Sequence, residues 1–199
     1  MNAIMDPITD TATWTLELLR KRQQTSPKRL SAPGPTEQQA RALFDAAAQA
    51  PDHGLIRPWR FVQVSEQGRS CLGEAFAAAL VERDPQADQV QVREARDKAD
   101  RAPFLALAVA RVRDANAQVP PAERYVSLGC ALQNMLLMAH AQGFGAGLVS
   151  GQAMESRAIR ELFSLAGEER AVCFIAVGTV SKAKPVRVRP LPEAFVSVL

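Results

Sequence analysis

Histidine is nearly absent from this chain, at two in 199 residues, and cysteine stands at three. His53 and His140 cannot make a histidine-rich metal centre, and Cys71, Cys130 and Cys173 lack the paired spacing of a zinc or redox motif, so no metal is expected. An odd, scattered set of cysteines reads as structural thiols in a reduced, cytoplasmic setting. No stretch has the length and apolarity of a membrane span, and Asp6 and Asp10 interrupt the start of the chain, unlike a secretory leader. Aromatics make up only 6% and acids interleave with the bases to leave a net charge of +3, so neither a stacking platform nor a nucleic-acid footprint is expected. There is no serine elbow, cysteine nucleophile motif or carboxylate pair.

With 47% hydrophobic residues in a chain of 199, one sizeable core can form, and length favours one domain over residues 1–199. Helix and strand patterns alternate along it. A first helix is expected at about 13–24. A second follows the capping signal Thr36-Glu37, with Leu43, Phe44, Ala47, Ala48 and Ala50 at helical spacings until Pro51 stops it. Residues 59–64 alternate like a strand, 76–81 belong to a third helix that Asp84-Pro85 interrupts, and the charged stretch 86–100 reads as a solvent-facing helix or flap. Residues 104–110 form a buried strand, and 122–142 form the longest helix, which has little polar face and should be central. A short strand at 144–150, a helix at 155–165 and a buried strand at 171–177, turning at Gly178-Thr179, complete the pattern. Residues 195–199 alternate like an edge strand without a nearby partner.

Two clusters of bases could meet a phosphate: Arg20-Lys21-Arg22 with Lys28-Arg29, and Lys182, Lys184, Arg187 and Arg189 in a stretch without acids. Gly143-Phe144-Gly145-Ala146-Gly147 follows a helix and places its third glycine one residue early, which excludes a dinucleotide fingerprint. Gly143 suits a helix C-cap, while the later glycines permit close packing or approach to a flat ligand. The densest collection of turn formers and ionisable groups is Ala50-Pro51-Asp52-His53-Gly54-Leu55-Ile56-Arg57-Pro58-Trp59, set between helix and strand.

That segment resembles the Ala-Pro-(Asp/Ser)-His/Ser…Gln-Pro-Trp signature of the nitroreductase family. Arg101-Ala102-Pro103-Phe104, Ser127-Leu128-Gly129-Cys130-Ala131, Ala141-Gln142-Gly143-Phe144-Gly145, Ser150-Gly151 and Val177-Gly178-Thr179 follow in the order of its smallest members, the YdjA-type NAD(P)H nitroreductases. The resemblance implies an α+β, three-layer nitroreductase-like fold: a central mixed, mainly antiparallel sheet flanked by helices, with a C-terminal arm exchanged in a homodimer. It implies FMN as cofactor and NADH or NADPH as co-substrate, with alternating half-reactions that reduce a nitroaromatic, quinone or related acceptor. A non-catalytic FMN carrier is the alternative.

Arg22-Gln23-Gln24 stands where the family has Arg-Arg-Ser, keeping only the first charge, which Lys182 or Arg187 could supplement. The resemblance further assigns FMN contacts to Leu148, Val149, Ser150 and Gly151 and, from the partner chain, to His53 with Gln49, Pro51 and Arg57 nearby. It associates Met138, Ala139, His140, Ala141, Gln142 and Gly143 with the nicotinamide nucleotide. From the residues alone, His140 is equally a packing or surface histidine, Asp52 a turn cap and Trp59 a core residue.

Overall fold

The computed structural model describes residues 7–113, 118–185 and 187–199, and side chains from residue 10 onward. Chain order is α1 (Pro7–Lys21), β1 (Leu30–Ser31), α2 (Glu37–Ala47), β2 (Trp59–Gln63), α3 (Glu66–Arg83), α4 (Gln89–Arg96), β3 (Phe104–Arg111), α5 (Pro121–Ala141), β4 (Gly145–Val149), α6 (Arg157–Leu162) and β5 (Glu169–Val180). Short 3-10 turns link several of these.

β5 is the axis of the sheet. It runs antiparallel to β3, from Phe104 opposite Val177 to Arg111 opposite Glu169, while β4 pairs with its other edge, from Gly145 opposite Gly178 to Val149 opposite Phe174. β2 extends the sheet beyond β3, and β1 pairs with the last residues of β5. β3 is buried continuously from Phe104 to Ala110, which in an antiparallel strand requires cover on both faces. Leu105, Leu107 and Val109, with Phe174 and Ala176, face Leu72 and Ala75 of α3 and Ile159 of α6. Phe104 and Ala106, with Ile175 and Val177, face Leu43 of α2 and Met135, Leu136 and Ala139 of α5. The period of two in the strands therefore dictates three layers, as the resemblance implied.

The capping signal of α2 is a full box, with Thr36 accepting from the Gln39 amide and the Gln39 side chain accepting in return. α2 ends at Ala47, three residues before Ala50. α5 closes in a Schellman arrangement: Gly143 at φ +85° donates to the His140 carbonyl and Phe144 donates to that of Ala139. One face of α5 is core, whereas Tyr125, Val126 and Gly129 are exposed, so the helix is central on one side only. The stretch 86–100 is helical over α4, capped by Asp88 and tied to α3 by a bidentate pair between Arg96 and Glu74.

Three expectations are corrected. α1 begins by Pro7 and stops at Lys21, because Gln24 and Thr25 leave the helical path to lie along β4, where Thr25 N–H donates to Ala146 O at 2.8 Å. The Gln24 side chain imitates a strand, donating to Leu148 O at 2.8 Å and accepting from Leu148 N–H at 3.3 Å. Gly178-Thr179 does not turn: β5 continues to Val180 because Gly145 pairs with Gly178 and Ser31 with Thr179. Residues 195–199 form no strand; they follow a 3-10 turn, pair with no strand among the described residues, and leave Phe195, Val198 and Leu199 exposed.

Gly147 has no room for a side chain, because a Cβ there would meet the carbonyl oxygen of Thr25. Gly147→Ala is expected to destabilise by about 1–3 kcal/mol through overpacking, with Gly167→Ala, where a Cβ meets nothing within 4 Å, near neutral in urea unfolding.

Candidate functional site

The two ends of β4 open into two different cavities, about 13 Å apart at the usual strand rise. The first, about 180 Å³, is lined by Lys21, Gln23, Gln24, Thr25, His140, Phe144, Gly145, Val180, Lys182, Ala183 and Lys184, with no acid among them. Arg29 donates to the carbonyls of Lys182 and Ala183 and so holds the C-terminal segment against it. Arg189 approaches the same place, donating to the carbonyl of Arg22 at 3.4 Å.

Arg22 itself is half-buried, and its Nε is sealed from solvent without a hydrogen-bond partner. Burial, with Arg189 adding to it, lowers the Arg22 pKa. Burial, then the charges of Arg22 and Lys21, lower that of His140. A lowered imidazole pKa and a guanidinium whose Nε lacks a partner mark a place of concentrated positive potential.

The second cavity, about 290 Å³, has an apolar body of Phe76, Leu80, Leu105, Val149, Met154 and Phe174, with Ser26, Ser150, Gly151 and Gln152 at its edge. Lys28, Arg83, Lys98 and Arg101 also line it. Ser150 donates its hydroxyl proton to Val172 O at 3.0 Å, so its lone pairs remain to accept from a ligand N–H.

The chain thus brings Arg22, Gln23, Gln24 and Lys182 to one end of β4, and Val149, Ser150 and Gly151 to the other, with Leu148 between them bound to Gln24. Arg187 is exposed on the nearby C-terminal segment. The 51–58 loop lies elsewhere. His53 Nδ1 is 2.8 Å from Glu123 in the first turn of α5, and Asp52 accepts from Arg57 N–H, capping the turn. Leu55 and Arg57 take left-handed backbone at φ +53° and +45°. Glu123 and His140 are separated by about 25 Å of helix, so His53, Pro51 and Arg57 are remote from Arg22 within one chain. Gln49 lines a third, apolar groove with Leu18, Met138 and Ala141.

The segment 138–143 is not one surface, because helical rotation spreads it. Met138 and Ala141 face that groove, Ala139 is core, His140 faces the cationic cavity, Gln142 donates to Gln39 O at 3.2 Å, and Gly143 ends the helix. Trp59 packs partly buried with Phe61 and donates to Ser127 at 3.1 Å. Sequence reasoning missed the second cavity's cationic lining. Lys98 and Arg101 lie in or beside a stretch whose charges look uniformly solvated, and no spacing joins them to Lys28 or Arg83.

The nitroreductase family model matches residues 21–179. The chain belongs to the nitroreductase family. YdjA of Escherichia coli (strain K12), named as a candidate NAD(P)H nitroreductase, is 35% identical over 92% of this chain and 97% of its own length. The nitroreductase-like family protein of Bacillus cereus superposes with a TM-score of 0.78 at 17% identity, covering 100% of this chain and 98% of that one. A candidate nitroreductase of Desulfovibrio desulfuricans, solved in complex with FMN, gives a TM-score of 0.68 at 22% identity, covering 92% and 96%. The nitroreductase-like fold and its layering are thereby shown.

The cationic end makes a direct prediction. Arg22→Ala should raise the His140 pKa toward its ordinary 6.5, read by NMR titration. In the unaltered protein the unfolded chain takes up this proton before the folded one does. Stability from His140 is therefore full above 6.5 and declines as the pH falls from there toward the lowered folded value, a slope that Arg22→Ala should weaken.

Proposed function

We propose that this chain is an FMN-dependent oxidoreductase that takes hydride from NADH or NADPH and reduces a nitroaromatic, quinone or related small acceptor. The observation that carries the reading is the buried, unpartnered Nε of Arg22 beside an acid-free cationic cavity, with an apolar cavity at the other end of β4. A phosphate with a flat ring is a ligand whose two ends this pair of cavities suits, so the residues fit FMN. The family membership and the FMN complex of the Desulfovibrio desulfuricans neighbour support the same reading.

Arg22, Lys182 and Arg187 would hold the phosphate, with Gln23 in a neutral supporting role. Gln24 acts at one remove, since its amide is spent on fixing the strand that Val149, Ser150 and Gly151 continue. FMN, when bound, supplies the electron chemistry. The protein's part is to neutralise the phosphate, present the accepting oxygen of Ser150 to the ring edge and keep the apolar walls dry. The balance for a nitro acceptor is one NAD(P)H and one proton consumed, one N–O bond broken, and a nitroso product and water released.

His53, Pro51 and Arg57 enter this site only from a second copy, so the reading includes a homodimer with the cofactor at its interface. Trp14, Leu16 and Leu19 on α1, Tyr125 and Val126 on α5, and Phe195, Val196 and Val198 on the tail are exposed apolar side chains that a partner would cover. We assign the 195–199 arm to exchange between the two copies. Among the described residues no helix is long and apolar enough to cross a membrane, and the cysteines are free thiols, in keeping with a cytoplasmic location.

Anaerobic mixing of the FMN-loaded protein with NADPH or NADH tests the activity. Loss of visible flavin absorbance is expected, whereas bound flavin that stays oxidised would make the protein a carrier. Arg22→Ala should weaken FMN retention about tenfold or more by equilibrium dialysis, as loss of a charge-assisted contact requires. Removing residues 195–199 should raise the dimer dissociation constant in analytical ultracentrifugation, and an equally tight truncated dimer would refute the exchanged arm.

A further inference from the structure

The 51–58 loop is held in a form that its own chain does not reward. Gly54, Leu55 and Arg57 take left-handed backbone at φ +67°, +53° and +45°, and Leu55 and Arg57 each carry a Cβ that disfavours it. Leu55 is 78% exposed, so burial of its side chain does not offset that cost. Two acids hold the loop in place. One carboxylate oxygen of Asp52 accepts from Arg57 N–H at 3.2 Å across the turn, while the other is sealed from solvent. Glu123, 70 residues further along the chain, lies 2.8 Å from Nδ1 of His53.

Glu123 sits in the first turn of α5, which Pro121 opens. The amide groups at a helix start favour a negative charge there. Among the described residues its side chain has no hydrogen-bond or ion-pair partner except His53. A carboxylate only accepts, so the hydrogen on Nδ1 points at Glu123 whether the imidazole is neutral or charged. The rest of the ring is open, with the His53 side chain 63% exposed. Nε2 is therefore the one polar atom that His53 offers outward. Released from Glu123, the ring could rotate and exchange tautomers, and each ligand contact would then have to order it first.

We infer that Glu123 is a positioning residue of the cofactor site: it fixes the tautomer and orientation of His53, so that the 51–58 loop of one copy presents Nε2 to the FMN bound by the other. The inference rests on the reading that places His53 at the partner's cofactor. A ring held ready before the ligand arrives loses little freedom on binding. The left-handed backbone at Leu55 and Arg57 belongs to the same design, since a loop that projects His53 beyond its own chain cannot relax onto it.

The test reads FMN affinity by equilibrium dialysis and the His53 tautomer by long-range proton–nitrogen NMR correlation, both on the full-length protein. His53→Ala and Glu123→Ala should each weaken FMN about three- to tenfold. The double variant should bind no more weakly than His53→Ala alone, because Glu123 acts only through the ring. In Glu123→Ala the hydrogen should no longer be confined to Nδ1. Glu123→Gln keeps an accepting oxygen at the same reach and should restore both the tautomer and most of the affinity. Urea midpoints should stay close together across the set, since an exposed pair adds little to stability.

Unchanged FMN affinity or an unchanged tautomer in Glu123→Ala, with His53→Ala still weakened, overturns the inference and leaves the placement of His53 standing. Additive losses in the double variant overturn it as well, because Glu123 would then act by a route that bypasses the ring. If His53→Ala holds FMN as tightly as the unaltered protein, the placement of His53 at the partner's cofactor falls, and the inference falls with it.

Discussion

The docking of residues 24 and 25 onto the edge of β4 is the constraint on which the arrangement of both cavities depends. Gln24 supplies a side-chain amide where a strand would supply a peptide group, and Thr25 adds a backbone bond, so the exposed edge of a five-residue strand is satisfied without a further strand. The cost is steric: Gly145 and Gly147 must lack side chains, since a Cβ on either would press into Val180, Leu30 or the Thr25 backbone. In return the end of α1 is delivered, with Arg22, to one end of β4, and the turn carrying Ser26 and Lys28 to the other. The glycine run that suggested a ligand loop is thus first a packing device.

Electrostatics divides the molecule in a consistent way. Where a carboxylate and a guanidinium meet, the pair fixes chain to chain. Arg60 grips the buried Glu169 at 2.7 Å through Nε, which lowers the Glu169 pKa and anchors the start of β5. Arg160 and Arg69 do the same work on carbonyl groups. Bases without a carboxylate partner collect at the two ends of β4, where no acid lines either cavity. A net charge of +3 looks unremarkable over the whole chain because the acids that cancel it lie elsewhere. This local surplus makes two cavities with cationic, acid-free linings from an ordinary composition.

α5 sets the remaining distance. Its core face covers the sheet, and its length holds the 51–58 loop at one end, through Glu123 and His53, and the cationic cavity at the other, through His140. A site that needs both ends cannot close within one chain. The exposed apolar side chains on α1, on the outer face of α5 and on the tail are the surface that the proposed second copy would cover.

The sequence by itself determined the order and type of nearly every element, because hydrophobic period, capping residues and proline stops are local: Thr36 with Gln39, Pro51, the run 104–110 and Gly143 each act within a few residues. It also carried the family, through the order of short motifs from Ala50 to Thr179. Tertiary structure alone decided that Gly178 continues a strand, since Gly145 and β1 hold it straight. It alone decided that Gln24 pairs with β4 instead of facing open cleft, and that 138–143 scatters around a helix. It alone brought Lys28, Arg83, Lys98 and Arg101 to one rim. Those outcomes depend on contacts between residues tens of positions apart, which no local spacing encodes and which exist only once the layers have packed.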